Sequence, residues 1–325
     1  MGIPRRRFLR QAAGAVALPA LSRIAWAQAY PTRPVRVIVG FAAGGPGDIV
    51  VRLMDQWLSD RLGQQFILEN RPGAGTNVGT EAVVRSPPDG YTLLLVTTAP
   101  TINATLYEKL DFNFIRDIAP VASIDRVPLV MEVNPSLPVT TVPEFIAYAK
   151  ANPGKINYAT GGIGTVQHVA GELFKFMTGV DLVHVPYRGA GLALIDLLAG
   201  QVQVAFSLIS SSIGYIRAGK LRALAVTSAT RVEALPDIPT VSEFVPGYEA
   251  IASDGMGAPK DTPADIIAKL NQEINAGLAD PTIKARLADL GGLPAPMSPA
   301  DFGKYIAAET EKWAQVIKFA NIKAE

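Results

Sequence analysis

Val35-Arg36-Val37-Ile38-Val39-Gly40-Phe41-Ala42-Ala43-Gly44-Gly45-Pro46-Gly47-Asp48 is the stretch on which the fold turns. The run 35–41 is β-branched and apolar, the pattern of a strand buried on both faces. A glycine-rich loop follows, and Asp48 stands where an N-cap would start a helix. Ile49, Leu53, Trp57 and Leu58 then recur at helical spacing until Gly63. Outward from there, 66–69 reads as a strand and Arg71-Pro72-Gly73 as a turn. A helix over 77–85 and a strand over 92–98 complete a β-α-β-α-β unit. Such a unit predicts an α/β fold with a mainly parallel sheet and right-handed crossovers.

The middle of the chain repeats the theme. Thr141-Val142-Pro143-Glu144 reads as a capping box, opening a helix that ends near Asn152. A strand over 156–159 runs into a second glycine-rich loop, Thr160-Gly161-Gly162-Ile163-Gly164-Thr165. The next helix carries Val169, Leu173 and Met177 on one face. A short strand at 183–185 leads to Tyr187-Arg188-Gly189-Ala190-Gly191 and a helix closed by Gly200. Strands are expected at 202–206 and 221–226. In the tail, Thr262-Pro263, Asp280-Pro281 and Ser298-Pro299 each pair an N-cap with proline at the first helical position. Three helices without strands of their own must then pack on an existing sheet.

The chain has 325 residues, enough for two domains. At 49% hydrophobic and 18% charged it can bury a sizeable core. Arg5, Arg6, Arg7, Arg10 and Arg23 lie in the first 29 residues, which contain no acidic residue. The remainder carries 25 basic against 29 acidic residues, net −4, so it lacks the basic field of a nucleic-acid binder. Without cysteine there is no disulfide, thiol nucleophile or thiolate metal site. His168 and His184 are the only histidines, and Asp181 with His184 offers too few ligands for a metal. No metal or cofactor is expected.

Residues 1–29 read as an export signal, with a basic start, a short apolar run from Ala12 to Leu21, and the small-residue sites Ala25-Trp26-Ala27 and Ala27-Gln28-Ala29. Cleavage is expected near residues 27–29, delivering the mature chain to the periplasm. Arg5-Arg6-Arg7-Phe8-Leu9-Arg10 resembles a twin-arginine motif, although Pro4 stands where Ser or Thr is commoner. An ordinary secretory signal with an extra arginine fits the same text.

The two glycine-rich strand-to-helix loops are the main chemical signal. Backbone N–H groups and the dipole at a helix N-terminus form an anion site. In open α/β sheets, ligands lie beyond the carboxyl ends of the strands, where both loops fall. Tight turns feeding helices would look the same. Neither loop is a nucleotide fingerprint, since the first lacks a Gly-Lys-Ser/Thr ending and the second lacks the third glycine of G-x-G-x-x-G. Arg188 could form a bidentate pair with a carboxylate or a surface ion pair. His168 fits either a ligand hydrogen bond or a satisfied core position, and His184 a structural role. Ser207, Ser210, Ser211 and Ser212 could bond a ligand or cap the next helix. No acid, base and nucleophile fall into a plausible catalytic set.

Several further segments match one family in order along the mature chain. They are Tyr30-Pro31-Thr32-Arg33-Pro34, Phe41-Ala42-Ala43-Gly44-Gly45-Pro46-Gly47-Asp48, Asn70-Arg71-Pro72-Gly73-Ala74-Gly75 and Pro88-Asp89-Gly90-Tyr91-Thr92. Tyr158-Ala159-Thr160, His184-Val185-Pro186-Tyr187-Arg188-Gly189, Leu197-Leu198-Ala199-Gly200-Gln201-Val202 and Leu235-Pro236-Asp237-Ile238-Pro239-Thr240-Val241 continue the match. Together they resemble the extracytoplasmic solute receptors of tripartite tricarboxylate transporters, the Bug-type receptors. Gly40 with Ala42-Ala43, Gln203, and Ser253-Asp254-Gly255 depart from the family's commoner text.

The resemblance implies a two-lobed Venus-flytrap fold. One lobe would take residues 30–128 plus 255–325, and the other 129–254. It also implies a small organic carboxylate bound between the lobes and membrane permease subunits as partners, with neither nucleic acid nor catalysis involved. A monomer is expected. A sensor that presents the ligand to a membrane signalling partner is the alternative, and an exported enzyme on the same scaffold the remote one. Carried over residue by residue, the ligand set is Phe41, Ala42, Ala43, Gly44, Gly45, Asp48 and Thr98 from the first lobe. The second lobe supplies Thr160, Gly161, Gly164, Thr165, His168, Tyr187, Arg188, Gly189, Ala190 and Ser207.

Overall fold

The computed structural model describes residues 30–324. The export signal expected over 1–29 lies outside the described residues. Ten strands run in chain order as β1 (Val35–Val39), β2 (Phe66–Asn70), β3 (Thr92–Thr97), β4 (Ile118–Val133), β5 (Ile156–Thr160), β6 (Leu182–Pro186), β7 (Val204–Leu208), β8 (Arg222–Val226), β9 (Ile251–Pro259) and β10 (Leu293–Pro294). The helices are α1 (Pro46–Leu62), α2 (Asn77–Val84), α3 (Thr98–Leu106), α4 (Phe114–Asp117), α5 (Val142–Ala151), α6 (Val166–Thr178), α7 (Ala190–Leu198), α8 (Ile209–Arg217), α9 (Ala264–Ala279), α10 (Pro281–Asp289) and α11 (Pro299–Ala320).

The strands line up as β2-β1-β3-β9-β4-β7-β5-β6, with β8 and β10 also pairing β4. β1 is parallel to β2 and β3, and β5 is parallel to β6 and β7, as alternating β and α units require. β4 and β9 are antiparallel to each other and join the two parallel groups. β9 pairs β3 on one side, while the far half of β4 pairs β7 and β8. The register of β4 on β9 slips twice, after Pro120 and after Ser123. Such bulges bend and twist a strand long enough to serve both groups.

Local chemistry explains where several expectations needed correcting. β1 stops at Val39 rather than running through Phe41, because Gly40 packs directly on Thr76, where a Cβ would clash. Asp48 is not the N-cap of α1. That position belongs to Gly45, and the Asp48 carboxylate reaches back to accept from Gly44 N at 3.1 Å. At α5, Thr141 Oγ1 accepts from Glu144 N, but the Glu144 carboxylate turns to Thr140 N at 2.7 Å, so the expected box is only half made. A complete box sits instead at Thr240 and Glu243. α9 begins at Ala264 with Pro263 as its N-cap, because Thr262 Oγ1 is committed to Pro259 O. The tail also has a strand of its own, since β10 pairs β4 through Leu293 opposite Arg126 and Pro294 opposite Asp125.

Two main cores flank β4 and β9. One packs Val50, Val51, Met54 and Leu58 of α1 against Val37, Leu93, Leu270 and Ile274. The other gathers Tyr158, Val169, Phe174, Phe206 and Tyr248. α11 touches both halves. Its Phe302 and Ile306 pack with Val96 and Ile118 on the first side, while Trp313, Val316 and Ile317 complete the second core. At 22 residues it spans about 33 Å, enough to reach across. The tail helices therefore do not pack on the first sheet alone.

Candidate functional site

A cavity of about 350 Å³ opens between the two halves, beyond the carboxyl ends of their parallel strands. Four helices begin at its wall. They are α1 at Gly45, Pro46 and Gly47, α3 at Thr97, Thr98 and Ala99, α6 at Thr165, Val166 and Gln167, and α8 at Leu208 and Ser210. Each brings a partial positive charge and first-turn N–H groups that the helix itself does not pair. Thr97 and Thr165 cap their own helices through their hydroxyls. α1 and α8 have no side-chain cap, which leaves their first-turn donors for other partners. Phe41, Val50, Leu106, Val127, Ile163 and Leu290 supply an apolar lining, and Asn103, Gln167, Ser210 and Ser253 the neutral polar groups.

A smaller cavity of about 70 Å³ adjoins it, sharing Gln167 and Leu208. Thr160, Gly161, Ala190, Gly191, Ser207 and Ser211 line it. The loops after β5 and β6 are stitched together here, with Tyr187 N donating to Thr160 O and Gly189 N to Gly161 O. Gly161 lies so close to Ala190 N that a Cβ would sit 2.9 Å from it. Only glycine permits that approach.

Of the residues expected to form the site, Phe41, Gly45, Thr98, Gly164 and Thr165 line the large cavity. Thr160, Gly161, Ala190 and Ser207 line the small one. The other eight line neither. Ala42, Ala43 and Gly44 are exposed on the first loop, and Gly189 serves the loop–loop stitch. Asp48 is buried behind that loop, accepting from Asn70 Nδ2 and Arg52 Nε, each at 2.9 Å. Burial works to raise its pKa, but the bonds from Asn70, Arg52 and Gly44 hold it below the usual carboxylate range. Tyr187 Oη donates to Asp196 at 2.7 Å, and Arg188 is exposed without an ion pair to a described residue.

The histidines brace the second loop. His168 Nδ1 accepts from Gly164 N at 3.1 Å, and His184 Nε2 shares a 2.7 Å bond with Thr160 Oγ1. Their rings stack at 3.8 Å, with Tyr158 stacked on His184 at 4.9 Å. Burial pushes His168 down to about 3 and His184 to about 4, so both are neutral at pH 7. A neutral His168 keeps the lone pair that Gly164 needs. Tyr158 hydrogen-bonds Glu172 behind the stack, and Lys175 Nζ reaches the same carboxylate at 2.9 Å.

Asn103, Gln167, Ser253, Asp125 and Asp254 were not singled out as ligand residues from the sequence. Asp254 and Ser253 did stand out as a departure from family text, which was the one available signal. Thr98 Oγ1 accepts from Ser253 N at 3.0 Å, tying the start of α3 to β9.

The chain is similar to proteins of one family. A family profile described as the tripartite tricarboxylate transporter family receptor matches residues 50–322. Protein BugT of Bordetella pertussis is 37% identical over 302 residues, covering 91% of this chain and 92% of that protein. The R. palustris protein Rpa4515, solved with adipate, superposes with TM-score 0.79 at 37% identity, covering 90% of this chain and 99% of its own. MatC from Rhodopseudomonas palustris, solved with malate, superposes with TM-score 0.75 at 32% identity, covering 89% and 100%. The fold is accordingly the two-lobed α/β fold of periplasmic solute-binding proteins, and the chain belongs to the tripartite tricarboxylate transporter receptor family.

Proposed function

We propose that this protein is a periplasmic receptor that captures a small organic carboxylate in the large cavity and passes it to the permease subunits of a tripartite tricarboxylate-type transporter. The observation that carries the reading is the convergence of four helix N-termini on one cavity, two of them uncapped. Each terminus favours an anion by roughly 0.3–1 kcal/mol when exposed and up to about 2 when partly buried. The adipate and malate bound by two relatives support the same chemistry. The ligand contacts are Gly45, Thr98, Gly164 and Thr165, with Asn103, Gln167, Ser210 and Ser253, and the small cavity takes one end of a longer acid. The protein acts as a receptor rather than an enzyme, reaches the periplasm through the signal over 1–29, and works as a monomer.

In this reading the lobes are 30–128 with 255–325, and 129–254, hinged on β4 and β9. A ligand drives closure only through contacts it makes in the closed state. Calorimetry with adipate and its diamide tests the carboxylate assignment. The diamide is expected to bind at least tenfold more weakly, about 1.4 kcal/mol. Equal binding of the two would mean that the cavity reads shape and not charge.

A further inference from the structure

β4 and β9 place Asp125 directly opposite Asp254. Opposed residues on neighbouring antiparallel strands leave the sheet on the same face, with Cβ atoms about 4.5–5.5 Å apart. Both residues belong to the wall of the large cavity. Asp125 is fully buried, and neither of its carboxyl oxygens has a hydrogen-bond partner. Asp254 is half-buried, with Oδ1 beside Gly47 in the first turn of α1.

No cation answers them. Among the described residues, the cavity wall contains no lysine or arginine, and its other titratable side chain is Tyr107. Among the described residues, those that face the pair are uncharged, although α1 also buries Asp55 about two turns beyond Gly47, its carboxyl pushed up to about 8 by burial, and pairs Arg52 with Asp48. β3 presents Thr97 opposite Asp254, α1 presents Gly47, and the turn between α10 and β10 presents Leu290 and Gly292. Arg126, next along β4, has its guanidinium over the Tyr305 ring of α11 at 4.5 Å. Two neighbouring carboxyl groups in a poorly solvated site cannot both ionise, so the pair titrates as a unit and keeps one proton. Burial and then the neighbouring Asp254 push Asp125 far above the usual carboxylate range, and burial raises Asp254 to about 7.

We propose that Asp125 and Asp254 share a proton in the ligand-free cleft and offer it as a hydrogen bond to a carboxylate oxygen of the ligand, which makes the pair a specificity determinant for acids. This rests on the carboxylate reading above. No covalent bond changes, and the proton stays with the pair. Hydrogen bonds from a carboxyl to a carboxylate are short and strong. An ionised pair would instead repel the same ligand. Above the pH at which the pair gives up its proton, binding must therefore recover that proton from solution.

The test is calorimetry of adipate with the mature protein from pH 6.5 to 9, a range in which adipate stays doubly ionised. Two buffers of different ionisation enthalpy count the protons taken up. Affinity is expected to fall about tenfold per pH unit once the pair ionises, with uptake rising toward one proton. Because burial alone would keep Asp125 titratable, the control is the double variant Asp125→Asn with Asp254→Asn, which carries permanent N–H donors, so its affinity should not change with pH and its proton uptake should vanish. Without ligand, the wild type should lose thermal stability as pH rises over this range, because the folded pair holds a proton that the unfolded chain has already released. The double variant should show a smaller loss, the remainder belonging to the buried Asp55 and Glu132, which burial raises to about 8 and about 7.

Wild-type affinity that is flat with pH, with no proton uptake, would overturn the proposal and leave the carboxylate reading standing. Tighter binding of 2-aminoadipate than adipate, strengthening as pH rises, would overturn it by making the pair a cation site. If no carboxylate binds at any pH, the carboxylate reading fails and takes this proposal with it.

Discussion

Gly164 and Gly44 are both held at positive φ, +73° and +88°, yet a side chain would do different things at each. A Cβ at Gly164 would run into Leu106 of α3, on the other side of the cleft. At Gly44 nothing lies within 4 Å. Gly164→Val is therefore expected to hold the halves apart and weaken carboxylate binding at least tenfold, measured by calorimetry. Gly44→Val should cost about 1–2 kcal/mol of stability from left-handed backbone strain, measured by urea unfolding, with a much smaller change in affinity. The sequence marks both glycines equally, because a strand-glycine-helix pattern signals a loop but not its neighbour across the cleft. The same holds for His168. Its position near the loop was legible, whereas its task of accepting from Gly164 N depends on a buried ring stack that no local pattern encodes.

At the scale of elements, the readable ones were those that carry their own punctuation. β1 is apolar except for the exposed Arg36, α1 has a proline start and a glycine stop, and α10 and α11 open with Asp280-Pro281 and Ser298-Pro299. Asp280 Oδ1 accepts from Thr282 N and Ile283 N at 2.8 and 3.1 Å. Asp280→Ala is expected to lower stability by about 1 kcal/mol, read as a shift in the urea midpoint at constant slope. β4 had no such signal. Pro120, Pro128 and Asp125 interrupt its hydrophobic run, and its two register slips erase the period of two on which a strand is recognised. Asp125 and Asp254 also lie far apart in the chain, so their meeting exists only once β4 and β9 pair. That is why the part of the cavity wall built by β4 and β9 escaped the sequence reading while its glycine loops did not.

For the whole molecule, α11 decides how independent the two halves are. Trp313 is fully buried in the second core although it lies in α11, the last helix among the described residues. Trp313→Ala removes a large side chain from that core and is expected to cost about 3–5 kcal/mol. Thermal unfolding of the variant should show the second half melting earlier than the first, where the wild type unfolds in one transition.

The same helix bears on how the protein is made. A ribosome releases the chain from its N-terminus, and domains usually fold as each one emerges. Here the core around Phe174 and Tyr248 also needs Ile102 and Leu106 from one end of the sequence and Trp313, Val316 and Ile317 from the other. Synthesis must have passed Ile317 before that core has all its parts. The middle segment therefore waits, partly exposed, until α11 has been made, and its core closes late rather than as soon as its own strands have emerged.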